Sequence, residues 1–270
     1  MELPERCFVC VTCGVQFSAA PGPPERCPIC DEERQYVRWA GQEWTTLEDL
    51  RRDHRNELRE DLGVTGVGTY PSFAIGQRAL LVRSPSGNVL WDCVTLIDEA
   101  TIDAVHALGG VHAIAVSHPH YYSSIVEWSR AFDAPVLLHE SDRRWVMRPD
   151  SCIDFWTGEA RALWDGMTLV RAGGHFEGGT VLHWPAGAAG RGALLSGDIL
   201  QVAQDRRWVS FMYSYPNYIP LSAAEVDRIV AAVQPYEFDR LYGAWWDRNV
   251  ESGAHAAVLR SAERYKRHLL

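Results

Sequence analysis

The chain has 270 residues, of which 47% are hydrophobic and 23% charged, ordinary globular usage that excludes disorder and supplies a sizeable core. Lys and Arg number 26 against 35 Asp and Glu, a formal charge of -9, so the molecule as a whole repels phosphate backbones and nucleic acid is not an expected partner. No apolar run reaches the ~18–20 residues of a bilayer span, and the opening residues are neither basic nor apolar in the manner of a leader, which points to a cytoplasmic protein with no membrane partner.

Five of the seven cysteines fall within the first 30 residues: Cys7, Cys10, Cys13, Cys27 and Cys30. Cys10-Val-Thr-Cys13-Gly14 and Cys27-Pro-Ile-Cys30 are two Cys-x2-Cys knuckles. Each can turn two thiolates towards one ion, and four thiolates close a tetrahedral site. Gly14 suits the tight turn after the first pair, and Pro21-Gly22-Pro23-Pro24 shapes the loop that brings the second pair back. About 30 residues cannot bury a core alone, so metal must supply much of the folding energy here. Cys7 and Cys10 form an overlapping Cys-x2-Cys pair, an alternative first knuckle. The run from Phe8 to Cys30 resembles the rubredoxin-like or zinc-ribbon module of rubrerythrins. That resemblance implies iron or zinc held by Cys10, Cys13, Cys27 and Cys30 in a module spanning 1–38, and leaves open whether the module is structural or redox-active.

Residues 39–71 read as a helical connector: Thr45-Thr46-Leu47-Glu48 is a capping box opening an amphipathic helix to about Glu60, closed by Gly63. From Ser72 onward short strands alternate with helices. Strands are expected at Phe73–Ile75, Ala79–Arg83 and Asn88–Cys93, then a helix capped by Asp98 through Leu108 and a buried strand at Val111–Val116. A helix capped by Ser124 runs to Phe132, and the next strand is expected at Pro135–His139. Thr168–Arg171, Val181–Trp184 and Ala193–Leu195 supply further strands. A helix capped by Ser222, a short strand at Arg240–Tyr242 and a helix at Ala256–His268 complete the chain. Sheets covered by helices, an α/β or α+β domain over 72–270, is the expected class.

Ser117-His118-Pro119-His120 comes directly after the buried strand. Pro119 pushes His118 out of the helical region, so both histidines are expected on an extended segment, facing one side as metal ligands do. Gly173-Gly174-His175-Phe176-Glu177-Gly178-Gly179 places a third histidine in a glycine-rich loop after a strand, and Ser196-Gly197-Asp198 places a carboxylate at another strand end. Three imidazoles and a carboxylate at strand ends compose a divalent-metal site.

In that order the three motifs resemble the metallo-β-lactamase superfamily, from about Ser72 to Leu270. The resemblance implies an αββα sandwich of two mixed sheets, in a superfamily made up mostly of metal-dependent hydrolases of esters, thioesters, lactams, phosphodiesters and glutathione conjugates. It implies His118, His120 and His175 as ligands of a first metal, Asp198 as a bridging ligand, and Asp92 as a structural aspartate. Two departures stand out. The family pattern His-x-His-x-Asp-His would need Asp and His where Tyr122 and Ser123 stand. The last family histidine, expected near Leu241–Trp246, is missing, with His255 further on. A second metal has lost its dedicated ligands, so a mononuclear site is expected.

The leading expectation is a hydrolase acting on a small-molecule ester, thioester, lactone or similar bond, with Zn2+ polarising an oxygen and lowering the pKa of water. Asp198 is then the proton acceptor, and Tyr121 or Tyr122 hydrogen-bonds a developing oxyanion. Three nitrogens and a carboxylate also suit non-haem iron, so an oxidoreductase or dioxygenase fed with electrons by the rubredoxin-like module is the alternative. A non-catalytic metal-binding protein is the third. His139 and His183 are candidates to support the ligands, and Tyr213, Tyr215 and Trp245 to line a pocket. Homo-oligomerisation is left open.

Overall fold

The computed structural model describes residues 5–269; the outermost positions of the expected module and domain, 1–4 and 270, lie outside the described residues. Strands β1 (Arg6–Cys10), β2 (Gln16–Ala20) and β3 (Trp44–Thr46) form a three-stranded antiparallel sheet, with a one-turn helix α1 (Pro28–Asp31) between β2 and β3. The first knuckle is a tight turn in which Gly14 N donates to Cys10 O and Cys10 N to Val15 O. Gly14 has φ +80°, and a Cβ there would meet Thr95 Oγ1 at 2.4 Å. Gly14→Ala is therefore expected to cost about 2–3 kcal/mol from left-handed strain and the contact together. The urea midpoint of the variant checks this; an unchanged midpoint would show that the knuckle does not depend on this turn.

The helical connector is corrected by the structure. Only α2 (Leu47–Asp53) is helical, seven residues capped by Thr46, whose side chain accepts from Asp49 N. The chain then forms a hairpin, β4 (Arg55–Asp61) and β5 (Val64–Tyr70), with Asp61 opposite Val64 across a Leu62-Gly63 turn. Both turn residues have positive φ, 54° and 97°, as a tight hairpin turn requires. Gly63 ends a strand rather than a helix. The charged run Arg55 to Asp61 lies at the edge of the sheet, where charge discourages pairing with another chain.

The large domain continues with β6 (Ala79–Val82), β7 (Val89–Trp91), α3 (Glu99–Ala107), β8 (Ala113–Ala115), α4 (Ile125–Phe132), β9 (Val136–His139) and β10 (Ile153–Trp156). Then come β11 (Ala160–Ala162), β12 (Thr168–Arg171), β13 (Thr180–Trp184), a short turn α5 (Gly187–Gly190) and β14 (Ala193–Leu195). Two small hairpins come next, β15 (Gln201–Val202) with β16 (Val209–Ser210), and β17 (Met212–Ser214) with β18 (Ile219–Pro220). Last are α6 (Ala223–Val233), β19 (Arg240–Tyr242), β20 (Asn249–Val250) and α7 (Ala254–Arg267). The expected strand Phe73–Ile75 is irregular chain. Ser222 caps α6 with a full capping box, whereas Ser124 precedes α4 but turns its hydroxyl to Thr95 O, 2.6 Å away.

One mixed sheet has the order β10-β9-β8-β7-β6-β5-β4, the other β11-β12-β13-β14-β19-β20. Alternation along the strands explains their stacking. Leu80, Val82, Val89, Trp91, Ala113, Ala115 and Leu137 of the first sheet pack on Leu169, Leu182, Ala193 and Leu195 of the second. The intervening residues Leu81, Leu90 and Ile114 point outward to a cluster with α3 and α4, and Val170, Val181 and Leu194 to one with α6 and α7. Strands buried on both faces read as unbroken apolar runs. This is the expected αββα sandwich.

The amino-terminal module is not a separate bead. Val9, Val15, Phe17 and Ile29 belong to the same cluster as Leu50, Val67, Leu81 and Trp128. Gln16 N donates to Ser123 O, and Thr95 Oγ1 donates to Gly14 O. No helix among the described residues is long and apolar enough to cross a membrane.

Candidate functional site

Among the described residues, two groups of side chains bring potential metal ligands within 4.8 Å of one another: Cys10, Cys13, Cys27 and Cys30, and His118, His120 and His175. All seven are buried. In the first group Cys10 Sγ lies 3.6 Å from Cys30 Sγ, and Cys13 Sγ 3.7 Å from Cys27 Sγ. Hydrogen bonds from Cys13, Cys27 and Cys30 draw the Cys10 thiol well below its ordinary range, while burial pushes Cys13 well above it. Four sulfurs this close and this dry cannot all ionise without a cation, and a cation is what four thiolates would hold. Cys7 lies on β1 outside the group, which settles the choice of knuckle in favour of Cys13.

The second group sits where strand ends from both sheets meet. His118 lies just beyond β8, His175 in the loop after β12, and Asp198 just beyond β14. Thr180 N donates to Ser117 O, joining the two sheets beside the site. His118 is extended, as Pro119 dictates, but Pro119–Tyr121 form a 3-10 turn. His120 thus approaches His118 by a turn rather than along an extended segment, with ring centroids 5.1 Å apart. Gly173 and Gly174, at φ +70° and +76°, turn the third histidine inward; a Cβ on Gly174 would meet Ile229 Cδ1 at 2.5 Å.

Hydrogen bonds behind the ring assign the lone pairs. Ser117 donates to Asp92 Oδ1 through both its hydroxyl (2.7 Å) and its backbone N–H (2.8 Å). Its hydroxyl oxygen is then left to accept from His118 Nδ1, 2.9 Å away. His118 Nε2 is a bare lone pair, buried without a hydrogen-bond partner and 3.2 Å from Asp198 Oδ1. His175 Nδ1 donates to Met212 O at 3.2 Å, leaving its Nε2 lone pair 3.2 Å from His120 Nδ1. His120 Nε2, Asp198 Oδ1 and the Tyr121 hydroxyl are likewise buried and unpartnered. Clustered imidazole lone pairs beside a carboxylate oxygen, with the outer nitrogens of His118 and His175 fixed and that of His120 free, suit a divalent cation.

Electrostatics agree. Burial drives His118 and His120 well below the ordinary histidine range, with His175 adding to it, and burial then Arg34 lower His175 to about 4. All three are neutral, the state that ligates metal. Burial and then the Asp92 charge raise Asp198 to about 7, and burial raises Asp92 to about 7 against its bonds from Ser117. Burial, with Asp198 next, holds Tyr121 protonated.

Not every expected residue joins this site. Tyr121 does, its ring 4.3 Å from that of His118. Tyr122 does not: it faces a small cavity with Val15, Gln16, Ile125, Val146 and Met147. Ser123 Oγ donates to Cys93 O and accepts from Gln77. The two positions where the superfamily pattern needs second-metal ligands thus form the contact with the amino-terminal module. His255 bonds Gln234 O, His139 bonds Gly158 O and His183 bonds Glu237 O, so none supports the ligands. Tyr215 lies 5.9 Å from His175 and donates to Asp198 O, while Tyr213 donates to Glu32 and Trp245 stands 6.5 Å from Tyr121.

Sequence reasoning passed over Arg34. Its side chain is 8% exposed, its Nη1 donates to His175 O at 3.1 Å, and its guanidinium lies 4.0 Å over the Phe176 ring. Nothing in the charged run Asp31-Glu32-Glu33-Arg34 marks it. Ser117 could have been found, as a polar neighbour preceding a candidate ligand histidine.

Known proteins resemble the chain in the same two respects, sequence and fold. No model of a protein family matches the chain. The uncharacterized protein YmaE of Bacillus subtilis (strain 168) is 52% identical over 261 residues, 96% of this chain and 95% of that protein. This chain belongs to the YmaE family. Among solved structures it is similar to the metallo-β-lactamase FIM-1 from Pseudomonas aeruginosa in its mono-zinc form, with TM-score 0.58 and 12% identity over 78% of this chain and 96% of that one. It is also similar to a B3 metallo-β-lactamase with an active-site glutamic acid, with TM-score 0.54 and 17% identity over 83% and 93%. This YmaE-family chain therefore has the metallo-β-lactamase fold, with a four-cysteine cluster at its amino-terminal end.

Proposed function

We propose that this chain is a metal-dependent hydrolase of a small-molecule ester, thioester or lactone, working from one ion held by His118, His120 and His175. The observation that carries the reading is the buried cluster of His118, His120 and His175, with the unpartnered His118 Nε2 3.2 Å from Asp198 Oδ1. Zinc, the metal in the FIM-1 structure, would lower the pKa of water and polarise a carbonyl. Asp92 holds Ser117, Ser117 holds His118 and Met212 O holds His175, so two of the three ligand rings are already oriented. Asp198, ligand or base, accepts the proton of the attacking water, and Tyr121 donates its free hydroxyl to the oxyanion. Burial of the site restricts the substrate to a small molecule.

Iron-dependent redox chemistry is the second reading, supported by the short chain link from Cys30 to Arg34 and on to His175 O. The two separate on an ester, thioester and lactone panel with zinc-loaded protein. Turnover that is lost in both His120→Ala and Asp198→Asn supports hydrolysis. No turnover, together with oxygen consumption by iron-loaded protein, refutes it in favour of the redox reading.

A further inference from the structure

His118 and His175 are 1% exposed, His120 4%, Asp198 5% and Tyr121 0%. A site this closed admits a substrate only if some covering element moves. The two sheets cannot part without exposing the core between them. One cover is different in kind: the irregular stretch Glu32–Gln35, which leaves α1 two residues after Cys30 and belongs to no sheet. We propose that Glu32–Gln35 is the door of the histidine site, that Arg34 is its latch, and that the four-cysteine centre is the hinge holding it shut.

The contacts of this stretch fall on the rim of the site. Arg34 Nη1 bonds His175 O, and its guanidinium lies among Phe176, Tyr213 and Trp145 at 4.0, 5.1 and 5.5 Å. The backbone is tied to the β17–β18 hairpin: Ser214 Oγ donates to Arg34 O at 3.1 Å, and Asn217 Nδ2 to Glu33 O at 2.8 Å and Gln35 O at 2.9 Å. Tyr213 OH donates to Glu32 Oε1 at 3.2 Å. The two bonds to Arg34 are buried and those of Asn217 and Tyr213 lie at or nearer the surface; none belongs to a sheet ladder, so the stretch can open locally while the rest of the fold stays intact. At the other end the stretch is anchored by Cys27 and Cys30, whose sulfurs close on Cys13 and Cys10. Loss of the ion from that centre frees the door, so access to one site depends on the occupancy of the other.

The test uses the full-length protein with both sites loaded, comparing wild type with Asn217→Ala and Arg34→Ala. The side-chain amide of Asn217 bonds Glu33 O and Gln35 O, while its backbone N–H bonds Ser214 Oγ and is kept in the variant, so Asn217→Ala loosens the stretch without reaching the histidines. Two readouts are taken: hydrogen exchange of the backbone amides at 33–35 and 175–178, and the rate at which pyridine-2,6-dicarboxylate extracts the histidine-site ion. Both variants are expected to raise both rates at least about tenfold, since each removes bonds worth of that order, and Cys27→Ser, in which only the histidine site is loaded, is expected to do the same. Faster exchange at 33–35 with unchanged extraction would overturn the door, and unchanged exchange at 33–35 would overturn the anchors assigned to it. The extraction arm rests on the metal reading of the histidine site. If no ion binds there, that reading fails while the exchange at 175–178 still decides the door.

Discussion

Cys27→Ser is expected to remove one equivalent of metal and to destabilise the whole molecule, not only its first 40 residues. Cys27 and Cys30 frame α1, and their sulfurs lie 3.7 and 3.6 Å from those of Cys13 and Cys10. Structural zinc contributes about 10–16 kcal/mol to small four-ligand modules, comparable with the ~5–15 kcal/mol stability of an average domain. The module therefore should not keep its fold with three sulfurs. Because Val9, Val15, Phe17 and Ile29 share a cluster with Val67, Leu81 and Trp128, its loss exposes the outer face of the first sheet. Even ~4 kcal/mol of lost cover would lower Tm by roughly 8–16 °C in a chain of this order of size. Metal analysis and calorimetry of the purified variant check this. Full metal content in Cys27→Ser would overturn the site, and a loss confined to Cys7→Ser would move the knuckle.

His120→Ala is expected to do the opposite: abolish turnover and leave the fold standing. The cores of the sandwich lie between and outside its sheets, so they are built without this ring, whose neighbours are His118, His175 and Phe176. The stability change should stay within about 2 kcal/mol. Removing a direct ligand should weaken the histidine-site ion by more than the ~10–100-fold typical of changes behind the ligands, while the four-cysteine ion stays in place. Ser117→Ala supplies the milder comparison, since it releases His118 Nδ1 and removes one of the two bonds to Asp92, the backbone N–H bond remaining. Retained turnover in His120→Ala at the wild-type rate would remove the histidine centre from the chemistry.

Much of this was legible in the linear sequence. The two Cys-x2-Cys pairs, His118-Pro119-His120, the loop around His175 and the turn carrying Asp198 are local patterns whose spacing reflects nearby backbone geometry, and the structure brings their side chains together. The expected strands Val111–Val116 and Ala193–Leu195 contain the observed Ala113–Ala115 and Ala193–Leu195, where burial on both faces leaves no polar position; the exposed His112 lies outside the strand. The connector failed for a local reason that a distant partner decided. A helix does start here, capped by Thr46 rather than Thr45, but Arg55–Asp61 pairs along its full length with Val64–Tyr70, and ladder bonds outweigh helix propensity in a charged edge strand.

The choice between Tyr121 and Tyr122 could not be read from the chain, since adjacent residues diverge by a turn whose direction depends on what covers them. Docking of the module over Tyr122 and Ser123 sends that pair away from the site and Tyr121 towards it. Arg34 belongs to the same class: it lies 141 residues from the carbonyl it bonds, and no pattern of period or spacing reaches that far. Ligand identity was thus written in short motifs, because a knuckle or a strand end is a local object. Closure of the site arose only when the continuous core of module and sandwich had placed one over the other.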